Sequence, residues 1–281
     1  MPLIDPHAHT RHSDGTDTPA QLVAAAQRAG LDYVGISDPD TTAGWEAARA
    51  AASALGMGLV PGVEVSAAWQ GRSVHVLGLL IDPQNEPLQA AFARVGASRQ
   101  DRIQRMVANM SEDFPGLEWS AVVARAAGAP MGRPHLADEL VALGHFNSRA
   151  EAFAVALHPA GPYWVRQDVL DPAEAVALIR GAGGVPVLAH PRATRRTRPV
   201  PDEVIEEMVG AGLFGLERDH RDQESGDRAE VERLATQFGL AMTGGSDYHG
   251  TGKPNGLGEN VTSAKVFAQI VEQGSDQVVH L

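Results

Sequence analysis

Two histidines separated by one alanine open the chemistry of this chain. In Leu3-Ile4-Asp5-Pro6-His7-Ala8-His9-Thr10-Arg11-His12-Ser13-Asp14-Gly15, a short apolar start runs straight into imidazoles and a carboxylate. On an extended backbone, side chains two residues apart share a face, so His7 and His9 lie side by side as a metal clamp would require. A His-x-His pair by itself is also what two polar residues at a strand end look like. Further candidates follow at Glu64, His75, His190, Asp247 and His249. Singly, each has an ordinary reading: Glu64 caps a helix, His75 is a hydrogen-bonded core histidine, Asp247 opens a turn. Jointly they ask for more, because clustered carboxylates and neutral imidazoles need cations to offset their repulsion and desolvation.

Composition limits what those cations can be. The chain of 281 residues has no cysteine, so disulfides, thiolate zinc sites and cysteine nucleophiles are excluded and any metal must sit on His, Asp and Glu. Its 11 histidines stand at roughly twice average usage, in a chain with only 5% aromatic residues. A net charge of -12 argues against nonspecific duplex binding through a basic surface, while leaving room for a local basic pocket around one phosphate. The N-terminus shows no basic start followed by an apolar run, and no stretch approaches about 18 uninterrupted apolar residues. A cytoplasmic protein without signal peptide or membrane span is therefore expected. An apolar fraction of 43% is enough for an ordinary core.

The elements that must position these residues read as strands alternating with helices. Thr18-Pro19 is an N-cap with proline at the first helical position, and the alanine-rich run ends at Gly30. Strands are expected at Tyr33 to Ile36 and Gly58 to Glu64, with a helix from about Ala43 to Leu55 between them. Val65 to Ala68 and Ser73 to Leu80, separated by Gly71, suggest a hairpin carrying His75. From about Glu86 to Gly161 the rhythm changes to helix after helix, which marks an insertion. Alternation resumes with helices Pro172 to Gly181, Asp202 to Ala211 and Ser225 to Phe238, and strands Val185 to Ala189, Phe214 to Glu217 and Leu240 to Thr243. Parallel strands alternating with helices mean α/β, and polar groups delivered at strand ends are what a TIM-type barrel predicts. The arginine-rich stretch Arg192 to Arg198 reads as a solvated loop. Glycine-rich Gly252 to Gly258 lacks the context of a nucleotide-binding motif, and no cofactor is assigned to it.

The motifs Asp5-Pro6-His7-Ala8-His9-Thr10, Ser13-Asp14-Gly15-Thr16, Ser37-Asp38-Pro39-Asp40-Thr41, Pro61-Gly62-Val63-Glu64, His75-Val76-Leu77-Gly78, Gly132-Arg133-Pro134-His135, Ala189-His190-Pro191 and Gly245-Ser246-Asp247-Tyr248-His249 appear in one order over about Met1 to Gly258. In that set the chain resembles the PHP (polymerase and histidinol phosphatase) domain phosphoesterases, most of all the free-standing branch acting on nucleotides and short oligonucleotides. The resemblance implies a distorted (β/α)7 barrel over residues 1–85 and 162–281, with residues 86–161 as a small helical insertion serving as a substrate lid. It implies two or three divalent metals, manganese, zinc or iron. One would be held by His7, His9, Glu64 and Asp247; a second by Asp14 and His249 with a further histidine; a third by Glu64, His75 and His190. Arg133 and His135 would clasp the substrate phosphate, with His135 able to protonate the departing alkoxide.

The same resemblance exposes one departure. Where the family has a ligand histidine between two aspartates, this chain has Pro39, which offers no side-chain donor. His12 or Asp40 could substitute, the second position could bind through Asp14, His249, water and phosphate, or it could stay empty. The reaction implied is hydrolysis of nucleotide or short-oligonucleotide phosphoesters by water activated at the metals, with Asp247 indispensable. The alternatives are a catalytically weakened metal- and nucleotide-binding protein, because of Pro39, and an amidohydrolase. The expected partner is a small phosphorylated substrate, with no duplex nucleic acid and no membrane.

Overall fold

A computed structural model describes residues 1–128, 130–194 and 198–275. The chain divides into two compact units, Met1–Phe92 with Leu170–Leu281, and Ala93–Val169.

The first unit is built on seven strands paired in chain order: β1 (Ile4–Asp5), β2 (Tyr33–Ile36), β3 (Gly58–Trp69), β4 (Arg72–Leu79), β5 (Val185–Leu188), β6 (Gly215–Asp219) and β7 (Ala241–Gly244). Between β1 and β2 runs helix α1 (Pro19–Arg28), and between β2 and β3 α2 (Trp45–Leu55). Local sequence explains the first of these. Thr18 accepts from Gln21 N–H while the Gln21 side chain accepts from Thr18 N–H, and Pro19 sets the first turn.

Parallel alternation holds on both flanks and fails in the middle. β1, β2 and β3 pair in parallel, as do β5, β6 and β7, but β4 runs antiparallel to both β3 and β5. The cause is the two-residue turn Gln70-Gly71, with φ of 48° and 79°, which returns the chain at once beside the strand it has just left. Two left-handed residues are what a tight hairpin turn demands. This hairpin also shows that Gly58 to Trp69 is one strand rather than two pieces.

The ends of the sheet are drawn together beyond the strands. Asp247 N–H donates to His7 O (2.9 Å) and His9 N–H to Tyr248 O (2.8 Å), forming a parallel bridge between Ala8 and Tyr248. The Asp5 carboxylate fastens the same seam, accepting from Ser246 N–H and Gly258 N–H, each at 2.9 Å. The result is a nearly closed, distorted barrel. Its core gathers Ile4, Val60, Leu77, Leu79, Val185 and Val187, joined by Phe267 and Ile270 of a terminal helix (Ala264–Gln273) that sequence reading did not anticipate. Three further helices, Pro172–Gly181, Asp202–Gly210 and Ser225–Phe238, connect the later strands.

The second unit is helical. The long helix α3 (Glu86–Met110) begins in the first unit and supplies Ile103, Met106 and Met110 to the second unit's core, with Val122 of α4 (Trp119–Ala126) and Leu136 and Leu140 of α5 (Arg133–Ala142). A shorter α6 (Arg149–Val155) is capped by Ser148, and Arg149 pairs with Asp138 at 2.6 Å. No described helix is long and apolar enough to cross a membrane.

In the arginine-rich stretch, Arg195 and Arg196 lie outside the described residues. Arg192 departs from the expected solvated loop: it is buried, donating to the Val200 carbonyl and to the Asp202 carboxylate. Burying its long stem and pairing its charge anchors the segment before the Asp202–Gly210 helix.

Candidate metal centre

All eight residues singled out as candidate ligands stand around Glu64 and Asp247. His7 and His9, on one face with fully buried Ala8 between them on the other, turn their Nε2 atoms toward each other at 3.2 Å. Asp247 Oδ1 lies 3.6 Å from His7 Nε2 and 3.1 Å from His9 Nε2. Glu64 Oε1 lies 3.7 Å from His7 Nε2, and its Oε2 3.6 Å from His9 Nε2.

β3 and β4 bring in the next ligand. Glu64 is registered with Leu77 and Ser66 with His75, so Glu64 and His75 are diagonal neighbours on one face, and His75 Nδ1 comes within 3.0 Å of Glu64 Oε1. From the end of β5, His190 Nε2 reaches within 3.5 Å of the same oxygen. On the other side, His249 Nε2 stands 3.1 Å from Asp14 Oδ1. His190 and Asp247 have left-handed backbones, with φ of 32° and 52°. Such conformations are costly for residues with a Cβ and are concentrated at functional sites.

Proton positions follow from the outer partners. His7 Nδ1 donates to Glu217 Oε1 at 2.9 Å, which leaves a lone pair on Nε2 facing the cluster. His249 Nδ1 donates to the Asp247 carbonyl at 2.8 Å, which likewise turns its Nε2 lone pair toward Asp14. His9 Nδ1 is buried without a hydrogen-bond partner. Acceptors thus face acceptors, an arrangement that divalent cations satisfy and that apolar packing does not. Among the described residues, four groups have ligand atoms all within 4.8 Å of one another: His7, Glu64 and His190; His7, His9 and Asp247; His9, Asp14 and His249; and His190, Glu217 and His220. The donor set fits divalent metals.

Electrostatics point the same way. Burial would raise Asp14, Glu64 and Asp247, yet each is held below the usual carboxylate range: Asp14 by His249 and Lys253, Glu64 by His75 and His190, Asp247 by Lys253, His249 and His220. Burial lowers His190 to about 4 and, with His249 nearby, also lowers His9, favouring the neutral ligating form. For His7, burial works downward but Glu217, Asp247 and Glu64 carry it up to about 10, so the site demands positive charge at that position.

Sequence reasoning missed three residues here: Glu217, His220 and Lys253. Glu217 is fully buried, and while its Oε1 accepts from His7, its Oε2 accepts from His190 N–H at 3.0 Å. One carboxylate therefore orients two candidate ligands. The adjoining Gly245 is forced, since a Cβ there would lie 2.5 Å from His7 Cβ and 2.6 Å from Glu217 Oε1. His220 Nδ1 accepts from Asp222 N–H at 3.1 Å, which puts the proton of the neutral ring on Nε2, 3.5 Å from Asp247 Oδ2. Lys253 Nζ contacts the same Oδ2 at 2.9 Å. Only His220, just past the end of β6, carried the signal that had singled out His190 and Asp247; Glu217 lies within β6 and Lys253 nine residues beyond β7.

The proposed substitutes for the absent histidine do not join these groups. Asp40 Oδ1 accepts from Ser66 N–H at 2.8 Å, and His12 Cδ2 packs beside Gly44. Asp38 accepts from Thr10 N–H at 2.8 Å and from the Thr10 and Ser13 hydroxyls. Pro39 forms an isolated parallel bridge to Glu64 through its backbone.

Arg133 and His135 lie in the second unit. His135 is buried at the start of α5, where its Nδ1 accepts from Gly132 N–H at 3.2 Å, as a helix-start residue does. The Arg133 guanidinium lies 5.2 Å from the Phe153 ring and 5.0 Å from Trp164, and donates to Leu157 O. A fourth missed residue, Arg102, lies 4.2 Å from the same Trp164 ring with Nε and Nη2 unpartnered. Burial, then Arg133 and Arg99, lower Arg102, and burial lowers Arg133. Among the described residues neither guanidinium is paired with a carboxylate; Arg102 is buried, with Nη1 donating to Gln167 Oε1 at 3.1 Å, and Arg133 is half-buried.

A strand-built barrel delivering histidines and carboxylates into overlapping donor groups defines a metal-dependent hydrolase. The comparisons agree. The PHP domain matches residues 5–127. The chain is 33% identical over 257 residues to a phosphoribosyl 1,2-cyclic phosphate 1,2-diphosphodiesterase of Eggerthella lenta, covering 88% of this chain and 94% of that protein. It is 31% identical over 261 residues to a 3',5'-nucleoside bisphosphate phosphatase of Chromobacterium violaceum, covering 90% and 89%. A solved structure described as a putative metal-dependent phosphoesterase from Bifidobacterium adolescentis superposes with a TM-score of 0.92 at 42% identity, covering 97% of this chain and 96% of that one. The chain belongs to the PHP family of phosphoesterases.

Proposed function

We propose that the protein hydrolyses phosphate monoesters or diesters of nucleotides or short oligonucleotides, using two or three manganese, zinc or iron ions, in the cytoplasm. One observation carries this reading: imidazole and carboxylate side chains from β3, β4 and the loops after β1, β5 and β7 converge around Glu64 and Asp247. His7, His9, Glu64 and Asp247 would hold one ion, Glu64, His75 and His190 another, and Asp14 and His249 the weakest. Bound there, divalent ions supply Lewis-acid charge and lower the pKa of water toward neutrality.

The protein's own groups supply the remainder. Glu217 fixes the His7 tautomer and the His190 backbone; His220 and Lys253 hold Asp247 Oδ2, which turns Oδ1 toward the imidazoles. Arg133 and Arg102 present planar donors suited to phosphate oxygens, and His135, with its proton on Nε2, would donate to the departing alkoxide. The helical insertion, residues 86–161, would be the substrate lid.

The test is phosphate release from a panel containing a 3',5'-nucleoside bisphosphate, a short 5'-phosphorylated oligonucleotide, a sugar phosphate and simple amides, comparing the wild type with Asp247→Asn. Metal-dependent release from the first two, lost in a variant of unchanged circular dichroism, is expected. Full activity of Asp247→Asn overturns the site assignment, and turnover of amides alone overturns the reaction class.

A further inference from the structure

Lys253 brings an ammonium group into a cluster otherwise made of ligands for cations. Its Nζ is 2.9 Å from Asp247 Oδ2, and its side chain is three-quarters buried. The same carboxylate places its Oδ1 3.5 Å from His249 Nδ1, and the His249 Nε2 lies 3.1 Å from Asp14 Oδ1. The ammonium therefore shares Asp247 with the position formed by His9, Asp14 and His249.

That position has three donors, and one of them is shared with a neighbouring group. His9 Nε2 is already committed to Asp247 Oδ1 and Glu64, at 3.1 and 3.6 Å. This leaves the Asp14 and His249 pair as the donors not claimed by the other groups. Pro39, in the loop after β2, adds none. The charge balance is equally restrictive. The donor groups contain four carboxylates, Asp14, Glu64, Glu217 and Asp247. Two divalent ions neutralise these four charges, and Lys253 already adds a positive one. A further divalent ion would leave a net charge of three in a buried site, which is heavily penalised unless an anion enters with it.

We propose that Lys253 serves as a resident cation beside Asp14 and His249, so that this position takes up a divalent ion only together with an anion of the phosphate class, while the other positions fill without one. The inference rests on the metal-centred reading of the preceding section and concerns how substrate and metal load together. A phosphate dianion brings the negative charge that the balance lacks and oxygens to complete a coordination shell that the protein leaves short. Substrate binding and completion of the metal cluster then become one linked event, each strengthening the other by the same factor.

Counting metal in the purified full-length chain tests this without reference to turnover. Metal-free protein is dialysed to equilibrium against Mn²⁺, with and without millimolar inorganic phosphate, and bound manganese is measured by mass spectrometry. Two equivalents per chain are expected without phosphate and three with it. Lys253→Met is expected to bind the third ion without phosphate at least tenfold more tightly than the wild type, whereas Lys253→Arg, which keeps the charge, remains at two. Three equivalents in the wild type without phosphate overturn the proposal, as does a third-ion affinity in Lys253→Met equal to that of the wild type. A count below two overturns it together with the metal-centred reading, which separates that failure from the first.

Discussion

Replacing Glu217 with glutamine tests whether the cluster depends on a group that never needs to touch metal. Glu217 is completely buried and uses both oxygens as acceptors, one from His7 Nδ1–H at 2.9 Å and the other from His190 N–H at 3.0 Å. Glutamine occupies nearly the same volume but has one acceptor oxygen, its other terminal atom being a donor. Whichever way the amide turns, one of the two donors meets another donor. If His7 loses its acceptor, its Nε2 lone pair is no longer held toward Glu64 and Asp247. If His190 N–H loses it, an unpaired buried amide costs about 1–3 kcal/mol and the ring that reaches Glu64 shifts. Loss of the carboxylate charge acts in the same direction. Outer partners of metal-bound histidines contribute roughly 10- to 100-fold in affinity, equivalent to about 1.4–2.7 kcal/mol. Titration of metal-free Glu217→Gln with Mn²⁺ against a competing chelating dye should show a dissociation constant raised by that factor for the tightest ion. The thermal midpoint of the metal-free variant separates this from general unfolding. A constant within twofold of the wild type, in a folded variant, would refute the positioning role.

Two other outcomes follow from the same geometry. Arg133→Ala and Arg102→Met should each lower kcat/KM for phosphorylated substrates by about 10- to 100-fold, mainly through KM, because each removes a charge-assisted donor to phosphate, of about 1.5–3 kcal/mol; steady-state kinetics on the best substrate of the panel decides it, and an unchanged kcat/KM would remove the arginines from substrate binding. Chelation should lower the thermal midpoint, since metal bound only to the folded state at 100 times its dissociation constant stabilises it by about 2.7 kcal/mol, or roughly 5 °C for a chain of this size; scanning calorimetry with and without chelator measures it, and identical midpoints would argue against a metal shared among His7, Glu64 and Asp247.

Much of the site could be read from residue order because barrels place function at strand ends. His7, His9, Glu64, His75, His190, Asp247 and His249 each follow or sit within an apolar run bounded by turn residues, and the helix caps at Thr18 and Asp171 mark where intervening helices begin. Glu217 escaped notice although it belongs to the same class. Its partner His7 is 210 positions away, and no local pattern distinguishes a carboxylate that orients a ligand from one that is solvated. Lys253 and Arg102 were invisible for a related reason. A cation is informative only when the charges around it are known, and those charges come from other elements.

The strand-helix rhythm, the lack of thiols and the types of donor available were settled by the amino-acid order alone, since backbone preferences and side-chain chemistry act locally. Strand direction in the middle of the sheet, the tautomers of His7 and His249, the two-oxygen role of Glu217 and the division of Asp247 between imidazoles and donors were settled only when the chain closed on itself. Each depends on a distance between groups far apart in sequence, and in a buried site a few tenths of an ångström decide whether two polar atoms attract, repel or require a cation between them.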